Sequence, residues 1–122
     1  MSIQSYQDLE VWQRGMTLAE QAYALTRPFP REEQYGMTSQ IRRAAASIPA
    51  NIAEGWARGS TAEFLQFIRI AKGSLRELET HLILSQRVGL CEPGAAQPML
   101  EQSEILSRQL LALQRSLQRK QK

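Results

Sequence analysis

Ser60-Thr61-Ala62-Glu63-Phe64-Leu65-Gln66-Phe67-Ile68-Arg69-Ile70-Ala71-Lys72-Gly73-Ser74-Leu75-Arg76-Glu77-Leu78-Glu79-Thr80-His81-Leu82 decides the fold. Ser60 and Glu63 have the spacing of a capping box, in which a serine hydroxyl and a glutamate carboxylate satisfy exposed amides at a helix start. Phe64, Ile68, Ala71, Leu75, Leu78 and Leu82 then follow at steps of 4, 3, 4, 3 and 4 residues. That spacing keeps one face of an α-helix apolar and cannot serve a strand, whose faces alternate every second residue. Gly89 is the natural stop, because glycine accepts the left-handed conformation that closes a helix.

Outward from this stretch the same period recurs. Before it, Ile41, Ala45, Ile48 and Ile52 form a stripe after Thr38 or Ser39, either of which could cap the helix. Pro49 inside that stripe removes one backbone hydrogen bond and predicts a kink near Ala45. Earlier still, Leu9, Trp12, Met16, Ala19 and Tyr23 suggest a first core stripe, stopped by Arg27-Pro28-Phe29-Pro30. A short turn is expected over 31–36, closed by Gly36. After Pro93-Gly94, Leu106, Leu110, Leu113 and Leu117 mark a last helix. The sequence therefore predicts one all-α domain spanning 1–122, with helices over roughly 6–26, 38–58, 61–88 and 96–119. Short connections favour an antiparallel up-down-up-down bundle, and heptad spacing favours left-handed packing.

The bulk composition agrees with a globular chain. Hydrophobic residues make up 43% of the 122 residues and charged ones 22%, and mean hydropathy is −0.38. No stretch approaches the ~20 apolar residues that span a bilayer. Met1-Ser2-Ile3-Gln4-Ser5 has no basic run leading into an apolar one, so no secretory leader is expected. The lone Cys91 allows no internal disulfide and fits a reducing, cytoplasmic setting.

The third helix carries more apolar surface than one bundle interior needs. Phe67, Ile70, Leu84 and Val88 lie on one flank of its core stripe, with Leu65 and Ile83 on the other. A core-facing bundle helix needs about three apolar positions in seven, so the surplus predicts a subunit contact. The second helix shows the opposite oddity. Gln40, Arg43, Ser47, Asn51, Glu54 and Arg58 share a face, and the third helix adds Ser74, Glu77 and His81. Gln40, Ser47, Asn51, Glu54, Ser74 and Glu77 are expected to form a polar network that fixes helix register. Gly73, beside Ser74, is expected to allow close packing.

Chemistry is tested and mostly excluded. A carboxylate-bridged di-metal bundle wants Glu-x-x-His on two helices, but the only histidine is His81, preceded three residues earlier by Leu78. One Cys and one His cannot make a zinc site, and there is no glycine-rich phosphate loop. No catalytic residue, metal or cofactor is assigned, and the chain is read as a non-enzyme. Charge is more informative. Arg69, Lys72 and Arg76 lie along one edge of the third helix, and Arg42, Arg43 and Arg58 lie on the second. Five cations and no acid follow Glu104, namely Arg108, Arg115, Arg119, Lys120 and Lys122, so that tail carries +5 and residues 1–104 carry −2. Basic edges attract phosphate, and a basic last turn also suits a helix dipole.

The run Phe29-Pro30, Glu33, Tyr35-Gly36-Met37, Gln40-Ile41-Arg42-Arg43-Ala44-Ala45, Ser47-Ile48, Asn51-Ile52-Ala53-Glu54-Gly55 closely resembles the 23S rRNA intervening-sequence proteins, often labelled S23 ribosomal proteins. So do Leu9, Val11-Trp12, Glu63-Phe64, Ile70-Ala71-Lys72-Gly73-Ser74-Leu75 and Glu77-Leu78-Glu79-Thr80. The resemblance implies a four-helix bundle that assembles as a homopentamer. It also implies kinship to accessory proteins of diversity-generating retroelements, which bind nucleic acid and a reverse transcriptase. Membership of the ribosome is not implied, and no catalytic residue carries over. The resulting expectation is an oligomeric, non-enzymatic protein that binds RNA or DNA through Arg42, Arg43, Arg58, Arg69, Lys72 and Arg76. The alternative is an interaction scaffold with no nucleic-acid role.

Overall fold

A computed structural model describes residues 3–121. Met1, Ser2 and Lys122, which entered the reading of the two termini, lie outside the described residues. Four helices account for most of the chain: α1 (Glu10–Thr26), α2 (Met37–Ala57), α3 (Thr61–Arg87) and α4 (Gln97–Lys120). Short 3-10 turns precede α1 (Tyr6–Asp8) and α2 (Arg31–Glu33). Among the described residues there is no strand.

Each helix packs on its chain neighbours, and α4 closes back onto α1. The cross-helix contacts run in opposite residue order. Lys72 of α3 meets Gln114 of α4, Arg76 meets Ser107, and Glu79 meets Ser103. Between α1 and α2, Thr26 meets Arg42 while Gly15 meets Pro49. These are the pairings of antiparallel neighbours. The core between them is aliphatic: Leu18, Ile41, Ile48, Ile52, Leu65, Ile68, Leu75, Leu78, Leu82, Leu106 and Leu110 are fully buried. Full burial stabilises by about 1.5–3 kcal/mol per such side chain. This is the all-α four-helix bundle that the stripes of α2, α3 and α4 predict.

The helix ends follow local chemistry. Ser60 Oγ accepts the Glu63 amide at 3.2 Å and donates to the Glu63 carboxylate at 3.0 Å. At the far end of α3, Gly89 takes φ +80°. The Leu90 amide reaches back to the Ser85 carbonyl at 2.9 Å and the Gly89 amide to that of Gln86 at 3.3 Å. These two bonds are the Schellman pair that only a left-handed residue permits without strain. Gln86 of α3 also accepts the Ala96 amide at 3.0 Å, tying the loop to the start of α4.

Three expectations are corrected. First, α2 starts at Met37 and is capped from outside: the Glu33 carboxylate accepts the Met37 amide at 3.0 Å, so neither Thr38 nor Ser39 is the cap. Second, α1 buries Val11, Gly15, Leu18, Ala19 and Ala22; of the predicted stripe Ala19 is in the core and Leu9 and Trp12 pack against it, but Met16 and Tyr23 are 38% and 44% exposed. Small residues win that face because they let α2 approach. A Cβ on Gly15 would lie 3.4 Å from the Pro49 ring, which is buried within an unbroken α2. Third, Gly73 makes no close contact, since a Cβ there meets nothing within 4 Å. The tight α2/α3 approach is at Gly55 instead, where a Cβ would lie 2.6 Å from Phe67 Cβ.

Candidate nucleic-acid interface

Arg69, Lys72 and Arg76 occur at helical spacing along one edge of α3, and Lys72 and Arg76 reach from it to α4. Lys72 Nζ donates to Gln114 Oε1 at 2.8 Å, and Arg76 donates to Ser107 Oγ at 2.7 Å and to Glu79 Oε1 at 2.8 Å. Glu79 also accepts from the buried Ser103 hydroxyl. Those bonds hold the two side chains across the helix boundary. Arg69 is exposed and has no hydrogen-bond or ion-pair partner among the described residues. The part of α4 that Lys72 and Arg76 face, at Gln114 and Ser107, lies beyond the last acid. Arg108 pairs with Glu104 at 2.6 Å, the last acid, and Arg115, Arg119 and Lys120 follow, all exposed.

The other three sequence candidates lie elsewhere. Arg42 is half-buried; it donates to Thr26 Oγ1 at 2.9 Å and stacks 4.5 Å over the Tyr23 ring. Thr26 in turn donates to the Ala22 carbonyl at 2.8 Å, so Arg42 clasps the end of α1 to α2. Arg58 pairs with Glu54 at 3.0 Å and Glu63 at 3.7 Å, and it covers the Phe67 ring at 5.0 Å. Arg43 is exposed in a groove between α2 and α3. The six cations therefore do not form one surface: three mark the α3/α4 face, and the rest divide between two other boundaries.

That α2/α3 groove gathers most of the predicted polar network. Gln40, Ser47 and Asn51 line one wall, Ile70, Ser74 and Glu77 the other. The residues do not bond across it. Ser47 donates to the Ala44 carbonyl at 2.8 Å, Asn51 to the Ser47 carbonyl at 2.7 Å, and Glu54 accepts from Arg58. Glu77 sits 3.7 Å from His81 of the next turn. Helix register is fixed by the apolar core and by Gly55 against Phe67, with the polar row left facing outward. The sequence signal for Gly55 was available in Glu54-Gly55, but nothing in the pattern distinguishes it from Gly73.

The apolar candidates also separate. Phe67 is half-buried beneath Arg58 and against Gly55. Ile70, Leu84 and Val88 are 45%, 42% and 60% exposed. On the other flank, Leu65 is buried in the core and Ile83 is exposed. A second apolar surface escaped the sequence reading. Met16, Ala19 and Tyr23 of α1, with Ala46 and Pro49 of α2, line a groove rimmed by Glu20 and Arg27. Met16, Ala19 and Tyr23 were assigned to the first core stripe, which concealed it.

No cluster of three or more His, Cys, Asp or Glu side chains suited to a metal occurs among the described residues. Among the described residues no helix is long and apolar enough to cross a membrane. The Cys91 thiol, in the loop before α4, is raised above its ordinary pKa by partial burial, with the Glu92 carboxylate adding to the effect.

The fold defines a small all-α four-helix bundle. The model of the 23S rRNA-intervening sequence protein family matches residues 7–112, and the chain belongs to that family. Among solved structures, a protein of unknown function from the S23 ribosomal protein family of Bacteroides thetaiotaomicron VPI-5482 superposes with a TM-score of 0.75. It is 24% identical, and the match covers 84% of this chain and 96% of that one, a likeness of fold. No curated protein matches.

Proposed function

We propose that this protein is a non-enzymatic, self-associating helical bundle that binds the phosphate backbone of RNA or DNA through its α3/α4 face. The observation that carries the reading is the alignment of Arg69, Lys72 and Arg76 with the acid-free half of α4, held by the Lys72–Gln114 and Arg76–Ser107 bonds. Helix-borne cations at such spacing track phosphates without reading bases. The net charge of +3 is small for one copy, and self-association repeats the face, so that each assembly presents several. The homopentamer implied by the family resemblance fits this logic. Arg42 and Arg58 are assigned to structure rather than to the ligand.

The test is fluorescence anisotropy with a labelled single-stranded RNA and a labelled DNA duplex at low salt. Reversal of Arg69, Lys72 and Arg76 to glutamate is expected to abolish binding with helicity retained. Undiminished binding by the reversed protein would remove the α3/α4 assignment. Absence of binding by the unaltered protein would favour the scaffold reading, for which the exposed Ile70, Leu84 and Val88 are the supporting observation.

A further inference from the structure

The chain has two tryptophans, and the core uses only one of them. Trp12 packs against it, with the Tyr6 ring set edge-on at 5.4 Å. Trp56, in the last turn of α2, is half-buried but is not among the side chains packed on the core. Its indole N–H has no hydrogen-bond partner among the described residues, although a half-buried indole usually finds one. Trp56 instead lines a pocket of about 260 Å³ at the end of the bundle, together with Thr61 and Phe64 of α3 and Leu117 and Lys120 of α4. Pockets that enclose a whole small molecule run to ~300–1,000 Å³, so this one suits a single planar ring system.

The lining matches the chemistry of a nucleobase. Trp56 and Phe64 supply aromatic surface on which any base can stack. The Lys120 ammonium is exposed, and neither it nor the Thr61 hydroxyl has a hydrogen-bond or ion-pair partner among the described residues. A cation and a hydroxyl are what a base carbonyl or its adjoining phosphate would accept from. Position supports the same occupant. Thr61 and Lys72 are eleven residues apart, which is three turns of α3, so they share a face about 16 Å apart along the axis. Leu117 lies one turn beyond Gln114, the partner of Lys72. The pocket therefore ends the seam along which Arg76, Lys72 and Arg69 are spaced. A strand whose phosphates follow those cations reaches Trp56 at its end.

We infer that this pocket takes one unpaired base, stacked on Trp56, from a single-stranded nucleic acid lying along the α3/α4 face. A duplex keeps its bases paired and stacked inside, whereas a single strand can splay one out. The inference rests on the phosphate-binding reading above and adds the substrate class, single strand over duplex.

Trp12→Phe leaves Trp56 as the sole fluorophore of its kind and does not alter the pocket. Stacking on a base quenches indole emission. A short oligouridine is expected to bind this variant with a saturable fall in emission, and an abasic strand of equal length to bind without one. A duplex of equal length is expected to bind through phosphate alone, also without quenching. In the parent, Trp56→Leu is expected to weaken the oligouridine roughly tenfold or more, the worth of one stacked base, and to leave the duplex unchanged. Trp56→Phe, which keeps a ring face, should restore most of the loss; circular dichroism checks that both variants fold. Oligouridine that binds without quenching, an abasic strand that quenches equally, or a Trp56→Leu loss shared by strand and duplex would overturn the base pocket while leaving the phosphate reading intact. Should the Trp56 variants unfold, the Trp12→Phe titrations decide alone. Absence of binding by any of the three nucleic acids would overturn the phosphate reading itself, and the base pocket with it.

Discussion

Gly55→Ala and Gly73→Ala are the same chemical change in two helix interiors, and the structure gives them opposite signs. Alanine is favoured over glycine inside a helix by about 1 kcal/mol, and Gly73→Ala should gain that amount because the added methyl meets nothing within 4 Å. At Gly55 the methyl would lie 2.6 Å from Phe67 Cβ, 3.1 Å from Phe64 Cδ1 and 3.3 Å from Phe67 Cγ. A Cβ cannot swing aside like the end of a long side chain, so α2 and α3 must part. Overpacking of this kind costs typically 1–3 kcal/mol. With the upper part of that range set against the helix gain, Gly55→Ala should be destabilised by about 1–2 kcal/mol. For a domain of this size about 1 kcal/mol moves Tm by roughly 3–5 °C, so the two variants should melt on opposite sides of the parent. Urea and thermal denaturation followed by circular dichroism measure both, at one protein concentration so that any self-association is common to the comparison. A Gly55→Ala protein as stable as its parent would refute the close approach of α2 and α3 on which the register argument rests.

Ser60→Ala removes the cap on α3 and should cost about 1 kcal/mol, read from the urea midpoint; no change would mean that the Ser60–Glu63 bonds contribute nothing. Arg42→Ala breaks the Thr26 bond and the stacking on Tyr23, with an expected loss of about 1–2 kcal/mol and unchanged nucleic-acid binding. A large loss of binding would return Arg42 to the ligand face. The raised Cys91 thiol should react with a disulfide reagent more slowly at pH 7 than free cysteine, accelerating as pH rises, because the thiolate is the nucleophile. Rapid labelling at pH 7 would contradict its environment.

The fold was legible where one apolar stripe ran alone. Ile41-Ile48-Ile52, Leu75-Leu78-Leu82 and Leu106-Leu110-Leu117 are all buried as their spacing requires. On α1 two overlapping stripes competed, and counting hydrophobic side chains favoured the one with Trp12, Met16 and Tyr23. The packing favoured the one with Gly15 and Ala22, because backbone proximity to Pro49 needs small residues and periodicity weights them little. The same blindness exchanged the roles of Gly55 and Gly73. Among the cations, spacing put Arg69, Lys72 and Arg76 on one edge of α3, and Lys72 and Arg76 both reach α4. It had no means of seeing that Arg42 meets Thr26 sixteen residues away or that Arg58 bridges two glutamates. The polar row on α2 reads as a network in sequence, yet its hydrogen bonds close within the helix, since i and i+4 neighbours are nearer than the far wall of the groove.

The salt dependence of nucleic-acid binding tests the central claim most directly. Phosphate contact releases counterions, so log K should fall linearly with log salt, with a slope of about −0.7 to −0.9 per contact. The account predicts a steep negative slope for the unaltered protein, shallower by roughly one unit for each of Arg69, Lys72 and Arg76 replaced by alanine. Binding that is flat across 50–200 mM salt, or a slope that those replacements leave unchanged, would contradict it.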